Sequence, residues 1–177
     1  MTSFFSLQII LLLGLLGLAV TAAVTDLRSY RIPNSISLAI AASFPIFVLA
    51  GGADFRGGLF AGGLVFAVGV FLYSRGWMGG GDVKLLAALS LWAGTELVLP
   101  MVVIITLTGG IMSFAEWFRI GGFNRLLARH IPTMDGAIAV PAARERAVVP
   151  YAAAILAGAL YVAVSRAVIL FGSLEAF

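Results

Sequence analysis

Cysteine is absent from the 177-residue chain, which closes off disulfide frameworks, CxxC zinc sites and thiol nucleophiles together. Histidine occurs once, at His130, too few for a histidine-built metal centre. Charge is also scarce: Asp, Glu, Lys and Arg make up 11% of the residues, against about 25% in soluble domains. Apolar residues fill the space, at 62% of the chain and a mean hydropathy of +1.10. A soluble domain of this length needs far more polar surface to cover its core. The composition therefore describes an integral membrane protein. Its net charge of +3 reflects membrane topology rather than a nucleic-acid surface.

Six apolar segments follow one another, at about 4–24, 35–53, 58–74, 84–95, 97–118 and 150–171. A helix crossing a hydrocarbon core of about 30 Å needs roughly 20 such residues. The expected fold is thus all-α and polytopic, a single membrane-embedded domain over residues 1–177 with six transmembrane helices. The fourth segment is short, bounded by Asp82 and Lys84 on one side and Glu96 on the other, and is expected to be buried among its neighbours. Gly58 and Gly62 form a small-xxx-small pair, and Gly14, Gly17, Gly109 and Gly110 are expected to allow close helix approach elsewhere. The first segment ends in Val20-Thr21-Ala22-Ala23, which has the look of a secretory cleavage site. It lacks a basic n-region, its apolar run exceeds the usual ~7–15 residues, and arginines follow rather than precede it. It is read as a retained span.

Lys and Arg set the orientation. The connections after spans one, three and five hold Arg28, Arg31, Arg75, Lys84, Arg119, Arg125, Arg129, Arg144 and Arg146, and the opposite side has only Arg56 and Arg166. The positive-inside rule places the first group in the cytoplasm, with both termini on the other side. Asp26, closing span one, and Asp82, opening span four, then fall at the same cytoplasmic face.

Carboxylates inside a membrane cost about 2.5–3.5 kcal/mol on insertion scales, so each invites a functional reading. Asp54 and Glu96 sit in outer turns, and Glu116 lies near the basic end of span five, where an interfacial or arginine-paired charge is the simpler account. Asp135 and Glu145 belong to the long loop before the last span. Asp26 lies in TDLRSYRIPNSIS (25–37), where Pro33 biases Ile32 towards an extended conformation and Asn34 or Ser35 can cap span two. An ordinary connector, with Asp26 paired to Arg28 or Arg31, would also fit. Asp82 lies in GWMGGGDVKLLAAL (76–89), where Gly79, Gly80 and Gly81 permit positive φ and close approach of another backbone. A plain flexible turn, with Asp82 complementing the helix dipole, is the competing account. A phosphate cradle is disfavoured, since the run lacks the GxxxxGK[ST] spacing and places an anion where phosphate would sit.

Two carboxylates held together do not both ionise easily, so one keeps its proton near neutral pH. The charged member can take a proton from water while the protonated one hydrogen-bonds a scissile carbonyl, hydrolysing an amide with no metal or cofactor. Glycines beside Asp82 would let a substrate backbone lie within reach. Lys84, two residues on, is placed to meet a lipid phosphate or a substrate carboxylate.

Met78-Gly79-Gly80-Gly81-Asp82-Val83-Lys84-Leu85-Leu86 resembles the GxGD segment of type IV prepilin peptidases, a family of intramembrane aspartyl proteases. Asp26 with Arg28 and Ile32-Pro33-Asn34 is similar to that family's first-aspartate segment, and Val149-Pro150-Tyr151-Ala152 to its Pro-Tyr element. The three matches occur in the family's order and span nearly the whole chain. The resemblance implies an endopeptidase that removes the basic leader of pilin-like precursors at the cytoplasmic face of the bacterial inner membrane. Asp26 and Asp82 would form its catalytic pair, with Gly79, Gly80, Gly81, Lys84, Arg28, Pro150 and Tyr151 in support. It implies no metal and no cofactor. Long members carry a cytoplasmic domain with paired CxxC motifs and also N-methylate the new N-terminus. That domain is missing here, and the short form looks like the prepilin peptidases of tight-adherence, Flp-type pili. The family also includes archaeal preflagellin peptidases.

Residues 119–149 form a long connector. Residues 120–130 read as an amphipathic surface helix, with Ile120, Phe123, Leu126 and Leu127 towards lipid and arginines at anionic headgroups. Two other classes share the intramembrane acids: a small proton- or cation-coupled transporter, and a noncatalytic pilus-assembly scaffold. The context of Asp82 separates them from the peptidase, since neither requires GxGD followed by Val-Lys-Leu.

Overall fold

The computed structural model describes residues 2–119 and 151–175. The proposed surface helix at 120–130, Arg125, Arg129, Asp135, Arg144, Glu145, Arg146 and Pro150 lie outside the described residues. Within them are five helices: α1 (Thr2–Ser29), α2 (Asn34–Leu49), α3 (Phe55–Ser74), α4 (Gly80–Arg119) and α5 (Ala152–Glu175). The all-helical membrane class is as expected, with four of the helices long and apolar enough to cross a bilayer. These five elements count α4 once, although it joins two helices across a break at Gly94. Helix α2 has 16 residues, about 24 Å at 1.5 Å per residue, short of a full hydrocarbon core. The segments expected as spans four and five share α4, which no polar loop divides.

Helix α4 is instead broken at one residue. Gly94 has φ 63° and ψ −173°, a region open essentially to glycine alone. The packing against α5 shows what the break does. Gly109 lies against the Tyr151 ring, Gly158 against Ile105 and Met101, and Gly94 against the Arg166 guanidinium. Descending numbers in 109–94 thus meet ascending numbers in α5, so this part of α4 runs antiparallel to α5. Residues 80–93 run the other way, from the Tyr151 end to Arg166, which donates from Nε to the Trp92 carbonyl at 3.0 Å and from Nη2 to the Ala93 carbonyl at 2.9 Å. The two halves fold back on one another at Gly94, and the buried arginine of α5 satisfies carbonyls that the break leaves without helical partners. Glu96 stands 3.9 Å from the same guanidinium.

Other helix ends follow local chemistry. Asp54 caps α3, its carboxylate accepting from the Gly57 N–H at 2.6 Å and the Arg56 N–H at 3.3 Å. At α2 the expected cap by Asn34 or Ser35 is not used. Pro33 is the N-cap residue with extended φ −60° and ψ 131° and no side-chain cap, and Asn34 is spent elsewhere: its Oδ1 accepts from Lys84 Nζ at 2.9 Å.

The core lies between α1, α2, α4 and α5, around Trp92, Phe44, Phe47, Leu15, Leu89, Met101 and Ile155. Trp92 stacks on Phe47 with centroids 4.6 Å apart and donates Nε1–H to the Ile40 carbonyl at 2.9 Å. Helix α3 sits outside this core against residues 80–93, and glycine makes that contact close. A Cβ at Gly58 would stand 2.7 Å from the Leu91 carbonyl oxygen, and one at Gly62 3.3 Å from that of Ala87. The expectation for Gly14, Gly17 and Gly110 is corrected: a Cβ at any of them would meet nothing within 4 Å, so no neighbour approaches there. Of that group only Gly109 adjoins a packed side chain.

Candidate active site

Asp26 belongs to the last turn of α1. A carboxylate there opposes that helix's own dipole, yet the side chain is buried and has a different partner. Its Oδ2 accepts the backbone N–H of Ala152 at 3.1 Å, the first residue of α5, so the positive end of α5 faces it. The competing ordinary-connector account, with Asp26 paired to Arg28 or Arg31, finds no such ion pair among the described residues, and Arg28 is exposed. Helix α1 then stops at Tyr30, whose N–H donates to the Asp26 carbonyl at 2.8 Å with φ at 51°. For a residue with a Cβ this left-handed conformation costs about 1–2 kcal/mol.

Asp82 is the third residue of α4. Its carboxylate folds back onto the backbone of Gly79, the return contact that an acidic residue at this helical position makes with the N-cap. A Cβ at Gly79 would lie 2.8 Å from Asp82 Oδ2. The positive φ expected of Gly79, Gly80 and Gly81 is not found, since Gly51, Gly76 and Gly94 hold the positive values. Two of the three simply begin the helix. Close approach explains them better: a Cβ at Gly81 would be 3.2 Å from Ile32 Cβ, and one at Gly80 3.3 Å from the Tyr73 ring. Gly81 therefore lets the Asp82 turn pack directly on the connector that follows Asp26.

The two carboxylates line one cavity of about 1050 Å³, and the charge of Asp26 acts on Asp82. Tyr30, Trp77, Met78, Gly79 and Tyr151 surround them at this end. From there the walls are apolar, with Leu64, Val65, Val68 and Leu72 from α3 facing Val98, Leu99, Val102 and Ile105 from the returning half of α4. Tyr151, at the foot of α5, has its hydroxyl pushed above the ordinary value of 10 by burial and then by the Asp82 charge, so it stands beside the carboxylates as a neutral donor. Arg28, Gly80, Gly81 and Lys84 do not line the cavity. Lys84 is tied to Asn34, joining the first turn of α4 to that of α2. Among the described residues no three His, Cys, Asp or Glu side chains cluster as metal ligands.

A known family model matches the chain: residues 10–114 fit the type IV leader peptidase family. The chain belongs to that family. The matched stretch covers more than half of the 177 residues and takes in both aspartates, and membership implies a peptidase acting on prepilins. No curated protein and no solved structure matches the chain. In this leader peptidase relative, α5 lies beyond the matched residues, yet it supplies the N–H that holds Asp26. Sequence reading missed that bond because it comes from the backbone. It also missed Tyr30, in plain view two residues after Arg28, because a positive φ at tyrosine carries no signature in composition or spacing.

Proposed function

We propose that this chain is an intramembrane aspartic endopeptidase that removes the leader of type IV, Flp-like prepilins at the cytoplasmic face of the membrane. The observation that carries the reading is the convergence of Asp26 and Asp82, from the end of α1 and the start of α4, on one cavity with a polar end and apolar walls. The charged carboxylate takes a proton from a water molecule, which attacks the scissile carbonyl. The protonated carboxyl donates its hydrogen bond to the carbonyl oxygen as charge develops there, and the proton taken from water passes to the leaving amine. Tyr151 supplies a further donor beside the pair. The apolar walls suit a substrate that is itself membrane-borne.

The cytoplasmic face follows from Arg28, Arg31, Arg75 and Lys84, which gather near the aspartates. The short-form reading follows from the four residues 30–33 between α1 and α2 and from the lack of Cys. Asp26→Asn and Asp82→Asn should each lower precursor cleavage by at least about 10²-fold, because an amide cannot exchange the proton. Both variants should remain in the membrane in wild-type amounts. Cleavage of a pilin precursor by either one at the wild-type rate would sink the dyad.

A further inference from the structure

Tyr30 is the one non-glycine residue with positive φ among the described residues. It terminates α1 in the conformation that helices ordinarily close with Gly or Asn, and a Cβ makes that conformation unfavourable. The helix stop therefore does not call for tyrosine. Packing does not call for it either: the side chain is 58% exposed and stacks on no other described ring. What distinguishes Tyr30 is its place. It lines the mouth of the cavity beside Asp26 and Asp82, with Trp77 and Met78, and Trp77 is 73% exposed.

We propose that Tyr30 is a substrate-contacting residue whose ring packs against the precursor segment flanking the scissile bond. The inference rests on the peptidase reading above and adds to it a residue that selects the substrate. A backbone that tolerates strain in order to keep one side chain at a cavity mouth is a sign of function. Because the contact involves no charge that develops during the reaction, it acts equally on ground state and transition state, and its loss appears in KM rather than in kcat.

The test uses the full chain in proteoliposomes with a type IV pilin precursor that carries its leader. Tyr30→Asn and Tyr30→Gly suit the left-handed backbone and remove the ring, whereas Tyr30→Phe keeps it. The Asn and Gly variants should melt no lower than wild type and raise KM roughly tenfold with kcat within a few-fold. Tyr30→Phe should recover most of that loss. A wild-type KM for Tyr30→Asn overturns the assignment. So does a lower melting temperature with unchanged KM, which identifies the ring as an interfacial anchor. Failure of the wild-type chain to cleave the precursor defeats the peptidase reading, and the Tyr30 contact with it. Cleavage that is abolished by Asp82→Asn but indifferent to Tyr30→Asn defeats the contact alone.

Discussion

Tyr151 shows how much one side chain can report on its surroundings. Burial, followed by the negative charge of Asp82, holds its hydroxyl above the ordinary value of 10, so the folded state favours the neutral phenol. A group raised in this way contributes stability that is present below the unfolded value and lost as pH rises through the folded one. Thermal stability should therefore fall above about pH 10, and Tyr151→Phe should flatten that fall in melting curves recorded across alkaline pH. An unchanged curve would mean that neither burial nor the Asp82 charge disfavours the ionised phenol in the folded state. Gly81 tests the geometry in another way. A Cβ there would stand 3.2 Å from Ile32 Cβ, so alanine requires the connector to shift by a few tenths of an ångström, while valine requires more than the packing can give. Gly81→Val should reduce cleavage far more than Gly81→Ala, with both chains still inserted, as read by precursor processing in membranes. Equal, undiminished cleavage would show that the Ile32 contact does not set the spacing of the aspartates. These residues were legible to different degrees. Asp26 and Asp82 stood out because carboxylates are costly in a membrane and the alternation of spans puts both at one face. The glycines were legible as a site feature, but their role lies in a contact with Ile32, which is 49 positions away and invisible to local pattern.

At the scale of the helix, the least legible feature is the one that shapes the cavity. Glu96 marked a boundary between two apolar segments, and the boundary does fall near it, but the chain turns at Gly94 with no loop. A glycine in an apolar run has the same appearance whether it packs, bends or faces open space, so only the structure separates Gly94 from Gly63. The alternation of spans puts Arg166 at the end away from the aspartates but does not reveal that it is buried there and donates to the carbonyls of Trp92 and Ala93. The break and the arginine form one device, and the returning half of α4 that they orient carries one wall of the cavity. Gly94→Ala forces a Cβ into a glycine-only conformation and to 3.0 Å from Arg166 Nη2, and should destabilise by about 1–3 kcal/mol. Gly63 is the control: a Cβ there meets nothing within 4 Å, and Gly63→Ala should be neutral or stabilising by up to about 1 kcal/mol. Thermal melts in one detergent compare the two directly. A Gly94→Ala chain as stable as Gly63→Ala would show that the turn at Gly94 is not enforced by its dihedrals.

For the whole molecule, the same contacts divide the bundle into two ends. One end gathers Asp26, Tyr30, Gly79, Asp82 and Tyr151. The other gathers Gln8 with the Ala50 carbonyl, Asp54 with the start of α3, and Arg166 with the break at Gly94. The described cations are unequally shared. Arg28, Arg31, Arg75 and Lys84 flank the aspartate end, while Arg56 and Arg166 belong to the other, where Arg166 is buried and already engaged. Each exposed Lys or Arg near an anionic leaflet contributes about 1 kcal/mol, so the proposed orientation puts the aspartate end at the cytoplasmic surface. The absence of cysteine makes this orientation simple to read, since a single introduced thiol is the only target in the protein. Ala53→Cys places it in the turn before α3, and Ser74→Cys places it at the end of the same helix, 21 positions on and at the aspartate end. A membrane-impermeant maleimide added to sealed right-side-out vesicles should label Ala53→Cys at once and Ser74→Cys only after permeabilisation. The reverse pattern would put both aspartates on the outer face, where a leader removed on the cytoplasmic side could not reach them, and would overturn the proposed site of cleavage while leaving the fold as described.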